Sequence, residues 1–316
     1  MDIIVTGSLG YDYIMDFNGR FADRIMPDAI HKISLSFLVD TLKKQFGGTA
    51  GNIAYTLKLL GLHPQIIASV GNDFDGYFRF LKKHRIDVSG IVFYKDESTS
   101  SYFGITDADD NQIGSFYVGA SKYASQLSLI PFLKKANNPF VVLSPTDPKA
   151  MIKFVKECVS FNTPYFFDPA FQIAVLSPND LKNGIASAAI LIGNDYEITL
   201  IKKRLGISHA KLLEMVSIVI TTLGAKGSLI EKKDKKWEIR PAKAKSTIDP
   251  TGAGDAYRAG FLAGFVRGFD LPTCGQMGSV AAVYTVEKYG TVTHTFTKKE
   301  FKERYQKNHG MKITLR

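Results

Sequence analysis

The sequence predicts an α/β fold: a central, mostly parallel sheet with helices on both faces, plus a smaller β-sheet set apart from it. Three observations lead there. From Gln65 onward, apolar runs at residues 66–70, 140–143, 165–167, 189–192 and 218–222 alternate with amphipathic stretches at 74–84, 149–161, 181–187, 195–205 and 210–215. Continuous apolar strands separated by helices suit a sheet buried on both faces. Two other regions, 17–44 and 91–117, carry β character outside that alternation and can pair into one small sheet. Twice, near Gly47 and near Gly252, a glycine-rich turn runs straight into a helical pattern. With no internal repeat, low-complexity linker or clean break, one domain over residues 1–316 is expected, its small sheet drawn from about 13–45 and 91–118.

Taken in order, residues 3–8 read as a buried strand. Its exit, Gly10-Tyr11-Asp12-Tyr13, puts Asp12 just past a strand end, where open α/β sheets bind ligands. A carboxylate there either accepts hydrogen bonds from sugar hydroxyls or merely shapes a turn. In 17–44, alternating Ile33, Leu35, Phe37 and Val39 suggest strands leaving the main body. Phe46-Gly47-Gly48-Thr49-Ala50-Gly51-Asn52 is the first glycine turn, feeding a helix with Ile53, Ala54, Leu57 and Leu60 on one side and Gly61 as its stop. The Gly47-Gly48 pair lets backbone amides touch a ligand, and Asn52 adds a donor and an acceptor. Within 91–117, a polar turn at 107–111 separates two strand-like runs; Phe103, Phe116 and Tyr117 either face a bound ring or form only the small sheet's apolar face.

Asn194 and Glu197 follow a strand and share one face at a helix start, the spacing of a capping box. The stretch from Thr221 and Thr222 through Gly224 and Gly227 to Ser228 is a strand end, a two-glycine turn and a new strand. Alone, that is an ordinary hairpin. Residues 279–289 form an Ala-rich helix closed by Gly290, whose small residues either admit a flat ring or only pack the core.

The most informative stretch is Ile248-Asp249-Pro250-Thr251-Gly252-Ala253-Gly254-Asp255-Ala256-Tyr257-Arg258-Ala259-Gly260-Phe261. Pro250 stiffens the approach, the glycines permit φ > 0 and close backbone approach, and Ala256, Ala259, Phe261, Leu262 and Phe265 recur at helical spacing. A glycine turn opening a helix presents free N–H groups at the positive end of the helix dipole, a cradle for phosphate. Asp255 in the first turn is a carboxylate beside that cradle. Together they are what phosphoryl transfer to a hydroxyl needs: a base for the alcohol proton and donors for the migrating charge.

Composition narrows the alternatives. A chain of 316 residues that is 45% hydrophobic can bury a large core. The 40 Lys and Arg against 30 Asp and Glu leave a net charge of +10, but the basic residues are scattered, as in Lys232 to Lys236 at an expected hairpin tip and the tail from Lys298 to Arg316. None interleaves with aromatics as a single-strand-binding face would, so no nucleic acid partner is expected. No apolar run approaches a membrane span, and two cysteines, Cys158 and Cys274, lack metal-ligand spacing. No membrane partner and a reduced, cytoplasmic setting are expected. No G-x-x-x-x-G-K-[ST], H-R-D or first-strand G-x-G-x-x-G occurs, which disfavours P-loop and protein kinases and dinucleotide-dependent dehydrogenases.

The Asp249 to Phe261 stretch resembles the C-terminal signature of the ribokinase-like (PfkB) sugar and nucleoside kinases, and Gly47-Gly48 with Asn52 matches their N-terminal signature. Gly7 to Phe17, Phe46 to Gly61 and Asn111-Gln112-Ile113 look most like the bacterial adenosine/nucleoside kinase branch. The resemblance implies a ribokinase-like fold whose small sheet is a lid over the substrate. It implies ATP-dependent phosphorylation of a ribose 5′-hydroxyl, adenosine being the expected acceptor, with Asp255 as base and Gly252, Ala253 and Gly254 as anion hole. Asp12, Gly47, Gly48, Asn52 and Phe116 would hold the acceptor. Asn194, Glu197, Thr222, Gly224 and Gly227 would hold the nucleotide, Glu197 would bind Mg2+ through water, and Asp249 with Thr251 would contribute to a K+ site. The partners implied are a nucleoside or sugar, ATP, and a second copy of the chain meeting it through the lid. A sugar kinase of the same fold shares every one of these motifs, and a nucleotide-sensing protein without turnover is the non-enzyme alternative. One departure stands out: Ala170-Phe171-Gln172 follows Asp168-Pro169 where Gly-Gln is expected.

Overall fold

The computed structural model describes residues 1–109 and 111–315, with the Ala29 and Ile30 side chains excepted. Asp110 of the expected polar turn and Arg316 of the basic tail lie outside the described residues. The chain opens with β1 (Ile3–Thr6), every residue of which is buried. Because successive side chains in a strand point to opposite faces, Ile3 and Val5 enter one apolar core and Ile4 the other. The expected alternation follows as β4 (Pro64–Gly71), β5 (Asp87–Tyr94), β8 (Phe140–Leu143), β9 (Tyr165–Phe167), β10 (Ile190–Asn194), β11 (Val219–Thr222), β12 (Ser228–Lys232) and β13 (Lys235–Ile239). These strands and β1 form a nine-stranded sheet in the order β13-β12-β11-β10-β9-β8-β1-β4-β5. From β5 across to β11 the pairing is parallel; β12 and β13 close one edge antiparallel.

Helices cover both faces. On one side lie α1 (Thr49–Leu59), α2 (Asp75–Lys83), α8 (Ala253–Phe265), α9 (Leu271–Val286) and α10 (Lys298–His309). The other carries α4 (Pro148–Ser160), α5 (Pro178–Ala186), α6 (Asp195–Leu205) and α7 (His209–Met215), with the short α3 (Ile130–Leu133) ahead of them. Side chains satisfy orphan N–H groups at their starts: Asp147, Ser177, Ser208 and Asp270 each accept a bond from the N–H of the third residue of the helix they cap, while Thr297 heads a full capping box. The expected helix at 279–289 begins earlier, at Leu271, and its small residues serve packing. A Cβ on Gly260 of α8 would fall 2.8 Å from the Gly278 Cα, and one on Gly278 would fall 2.9 Å from the Tyr257 carbonyl oxygen. The pair of helices can approach only because both lack side chains there.

The small sheet has four strands in the order β3-β2-β6-β7, made of β2 (Gly10–Asp16), β3 (Thr41–Gly47), β6 (Ser100–Thr106) and β7 (Gln112–Tyr117). Asp12, past the end of β1 as expected, stands inside β2, opposite Gln45 and Tyr102. Two expectations are corrected here. Residues 33–39 form no strand: Phe37 is drawn into an aromatic knot with Phe17 and Phe21, ring centroids 5.0 Å from each, while Ile33, Leu35 and Leu38 are exposed. Residues 91–94 run in β5 of the large sheet, so the second excursion contributes from Ser100 onward. Register also separates the aromatics. Phe116 is opposite Tyr102 and shares the face of Asp12, whereas Phe103, stacked on Tyr13 at 4.8 Å, and Tyr117 lie on the opposite face. Of the three rings, only Phe116 can look toward a ligand held by Asp12. Among the described residues, no helix is long and apolar enough to cross a membrane.

Candidate active site

The parallel strands deliver their C-terminal ends to one rim, and the sheet changes direction beside β1, the crevice in which open α/β sheets take ligands. Asp168 follows β9, Asn194 ends β10, Thr222 ends β11, and the chain leaving β1 becomes β2 with Asp12. Both glycine turns converge on this rim. Gly48, at φ 87°, caps α1, and a Cβ there would fall 2.8 Å from the Leu9 Cα. Gly252, at φ 78°, caps α8, and its missing side chain leaves room for Thr291, 2.9 Å from where a Cβ would stand.

Asn52 of α1 joins the two turns. Its Nδ2 donates to Asp255 Oδ2 at 2.8 Å, linking residues 203 positions apart. Asn52 is 5% exposed, and its Oδ1 has no hydrogen-bond partner among the described residues. A buried acceptor left open in this way costs free energy unless a ligand hydroxyl or water completes it. Asp12 lies directly over Gly47: a Cβ at Gly47 would overlap the carboxylate and displace it. Tyr77, buried behind the turn, donates to the Gly47 carbonyl at 3.2 Å and stacks on Phe46 at 4.4 Å.

The carboxylates here are crowded and poorly hydrated. Burial raises Asp255 to about 6; Arg258 and the Asn52 hydrogen bond pull it down, while Asp168 and Asp12 push it further up. Burial likewise raises Asp12 to about 6, with the Asp249 charge adding to it. Asp249 ties two loops together, its Oδ1 accepting from Thr251 N at 2.9 Å and its Oδ2 from Gly290 N at 3.0 Å. Thr291 in turn donates to the Phe46 carbonyl at 2.9 Å, so the loop after α9 supports both the Gly252 turn and β3.

Asn194 and Glu197 form a complete capping box, the Asn194 side chain accepting from Glu197 N at 2.8 Å and Glu197 Oε2 from Asn194 N at 2.7 Å. Glu197 is raised by burial and by the Asp168 charge, and lowered by the Asn194 N–H and by Arg258, so this corner communicates electrostatically with Asp255's surroundings. Thr222 is the register partner of Asn194 across β10 and β11. Gly224 and Gly227 both take positive φ, 57° and 96°, in the turn from β11 to β12. At Ser228, where β12 begins, the hydroxyl lies 2.7 Å from Tyr257 Oη of α8, tying that turn to the helix that carries Asp255. Phe116 sits 6.4 Å, ring to ring, from Phe171, which is 60% exposed. Phe171 belongs to the Ala170-Phe171-Gln172 departure, and Ala170 holds φ 40°, a left-handed conformation unusual for a side-chain-bearing residue. Sequence reading singled out neither Asp168, Arg258, Gln45, Thr291 nor Phe171 as site residues. Ala170 and Phe171 had a signal in the departure itself.

A cleft that gathers a carboxylate, a glycine-turn helix start and an open amide acceptor can move a proton from a hydroxyl and receive a migrating phosphoryl group. Known proteins point the same way. Residues 13–298 match the pfkB family carbohydrate kinase. Over 275 residues the chain is 36% identical to a nucleoside kinase of Methanocaldococcus jannaschii, covering 86% of this chain and 89% of that one. It is similar in structure to the Burkholderia thailandensis nucleoside kinase in complex with inosine, with a TM-score of 0.88, 30% identity and coverage of 98% and 99% of the two chains. A ribokinase of Thermotoga maritima, 22% identical, shares the fold with a TM-score of 0.79. The chain therefore belongs to the pfkB family of carbohydrate kinases, with their ribokinase fold, and is a phosphotransferase acting on a hydroxyl group.

Proposed function

We propose that this chain transfers the γ-phosphoryl group of ATP to the ribose 5′-hydroxyl of a nucleoside, with adenosine as its preferred acceptor. The observation that carries the reading is the 2.8 Å bond from Asn52 to Asp255, which assembles the two distant glycine turns into one site under Asp12. Nucleoside kinases among its relatives support the acceptor class, and the Burkholderia thailandensis enzyme has been seen with inosine and with ADP-inosine.

In this reading Asp12 accepts hydrogen bonds from the ribose hydroxyls, and Asn52 Oδ1, unpartnered in the buried site, accepts another. The amides at Gly47 and Gly48 line the sugar. Phe116 and Phe171, whose rings lie 6.4 Å apart, offer an aromatic surface to the base. Asp255 takes the 5′-hydroxyl proton as that oxygen bonds to the γ-phosphorus and the bond to the β–γ bridging oxygen breaks, releasing ADP. The N–H groups of Gly252 and Gly254 face the charge on the transferring oxygens, while that of Ala253 donates to the Pro250 carbonyl at 3.1 Å. Asn194, Glu197, Thr222, Gly224 and Gly227 hold the nucleotide along the rim. The small sheet acts as a lid of a single kinase domain, excluding water from the transfer.

Glu197 suits a magnesium ion bound through water, because it offers a single partly buried carboxylate with one oxygen already committed to Asn194 N. Magnesium there would neutralise phosphate charge. The Asp249 carboxylate and Thr251 carbonyl offer oxygen donors of the kind K+ takes, next to the anion hole. Leu42, Phe103, Ile113 and Tyr117 form an exposed apolar surface on the outer face of the lid, which supports a homodimer through it. A particle sedimenting as a monomer across the micromolar range would refute that pairing. Both cysteines are buried and free, consistent with a cytoplasmic protein. The deciding experiment measures ATP consumption over nucleosides, ribose, fructose and fructose phosphates. Adenosine should give the highest kcat/KM, and a free sugar or sugar phosphate in first place would overturn the acceptor assignment.

A further inference from the structure

Directly beneath the proposed base lies an ion pair that the reaction as written does not use. Asp168, 1% exposed at the end of β9, accepts from Arg258 Nη2 at 2.8 Å, and its Oδ2 lies 2.5 Å from Arg258 Nε. Arg258 is 9% exposed and stands three residues after Asp255 on α8, one turn along the same face. Its Nη1 is pressed against the anion-hole turn, 2.8 Å from where a Gly254 Cβ would be. A buried ion pair seldom stabilises a fold more than apolar residues of the same volume. Its presence at this point calls for another reason.

We propose that Arg258, clamped by Asp168, is a positioning residue for phosphoryl transfer that holds positive charge against the Gly252–Gly254 turn and one helical turn from the Asp255 carboxylate. The placement of the guanidinium supports this. The Nη2 hydrogen bond to Asp168, with Nε 2.5 Å from the other carboxylate oxygen but not aligned to donate to it, holds the guanidinium's charge at one place relative to α8. Gly254 is the residue whose missing side chain lets that charge lie against the turn backbone. The groups facing Asp255 are Arg258 from its own helix, Asn52 from α1, Asp12 from β2 and Asp168 after β9. Of these, Arg258 alone is cationic. The electrostatic influence of the pair also reaches Glu197 at the proposed nucleotide corner. Asp168 and Arg258 thus join the acceptor and nucleotide halves of the site.

The inference rests on the base role proposed for Asp255, and the test separates the two. Arg258→Met, Arg258→Lys, Asp168→Asn and Asp255→Asn are compared by steady-state kinetics, direct nucleoside binding and the pH profile of kcat/KM. Arg258→Met should lower kcat at least about tenfold while nucleoside Kd stays within about threefold, and should move the acid limb up by about one pH unit. Arg258→Lys, which keeps charge without the fork, should restore the limb and part of kcat. Asp168→Asn should give a kcat between theirs, with the acid limb moving down, because the Asp168 charge itself raises Asp255. If Arg258→Met does not fold, the Asp168→Asn/Arg258→Met pair, which leaves no lone buried charge, is judged by kcat against nucleoside Kd, since its two charge changes oppose each other on the limb. Wild-type kcat with an unmoved limb would overturn the inference. So would a joint loss of kcat and nucleoside affinity with the limb fixed, since that is the mark of a purely structural role. Loss of turnover in Asp255→Asn but not in Arg258→Met refutes only this inference; retained turnover in Asp255→Asn refutes the base itself.

Discussion

Replacing Asp255 by asparagine changes one oxygen for an amide nitrogen, and the consequences can be worked from its surroundings. The remaining amide oxygen can still accept from Asn52 Nδ2, so the link between the two glycine turns has a route to survive. What disappears is the proposed proton acceptor. General-base assistance is typically worth 10²–10⁴-fold, so turnover should fall by at least about 10²-fold. Nucleoside affinity, assigned in the same proposal to Asp12 and Asn52, should change little. Stability should move in the opposite direction. Asp255 is raised from 3.8 to about 6, chiefly by burial. A carboxylate with a raised folded-state pKa contributes stability only below its unfolded value and loses it as pH rises through about 6. At pH 7 the ionised group therefore costs about 3 kcal/mol, from roughly two units at 1.36 kcal/mol each. At about 2.1 cal/mol/K per residue, the unfolding entropy of a chain this long converts that to a rise in Tm of about 4 °C in the variant. Kinetics, isothermal binding and calorimetry on one preparation suffice. An unchanged turnover would refute the base role. A fallen Tm would refute the claim that this carboxylate is held against its own solvation for the sake of the reaction.

The same crowding sets the pH response of the free enzyme. With Asp12 and Asp255 both raised to about 6, kcat/KM should fall below about pH 6 with a slope approaching two, and Asp12→Asn should reduce that slope to one; a single limb near pH 4 would refute it. If Asp249 and the Thr251 carbonyl hold a monovalent cation, turnover in potassium should exceed that in a bulky organic cation, and equal rates would remove the site. Buried His294, lowered to about 4 by burial and flanked by the Thr56 and Thr285 hydroxyls, stays neutral in the fold while the unfolded chain protonates near 6.5. Stability should thus drop by about 3 kcal/mol as pH falls from 6.5 to 4, and His294→Gln should abolish that component in urea titrations; a variant with the same pH slope as wild type would refute it.

Why some of this was legible in the sequence and some not follows from where each constraint is written. A turn that must approach a ligand declares itself locally, because only glycine fits; Gly48 and Gly252 are both at positive φ and head the two helices expected from them. The capping box of Asn194 and Glu197 is local in the same way. The parallel strands were readable as apolar runs because burial on both faces suppresses alternation. Alternation itself misled at residues 33–39, where Phe37 serves an aromatic knot rather than a strand face. Asp12 was visible as a candidate, yet its strand was not, because the residues that complete its face, Gln45, Tyr102 and Phe116, come from three separate segments.

The Asp168–Arg258 pair shows the limit most clearly. Its members are 90 residues apart, so no spacing rule links them. Half of the signal was nonetheless present. Arg258 lies inside Ala256-Tyr257-Arg258-Ala259-Gly260-Phe261, a helical run buried on every side. A helix apolar all round cannot hold an arginine without a carboxylate to meet it. The sequence therefore demanded an acidic partner for Arg258, and the strand order decided which one. Asp168 qualifies because β9 lies in the middle of the parallel sheet and ends at the same rim as the start of α8. At Ala170 the backbone takes a positive φ and the chain enters a short 3-10 turn, residues 170–174. The departure at Ala170-Phe171-Gln172 thus marks the segment that supplies both the Asp168 clamp and the Phe171 ring. A replacement of Ala170 by glycine should be tolerated by that backbone, whereas a β-branched residue there should disturb Asp168 and Phe171 together.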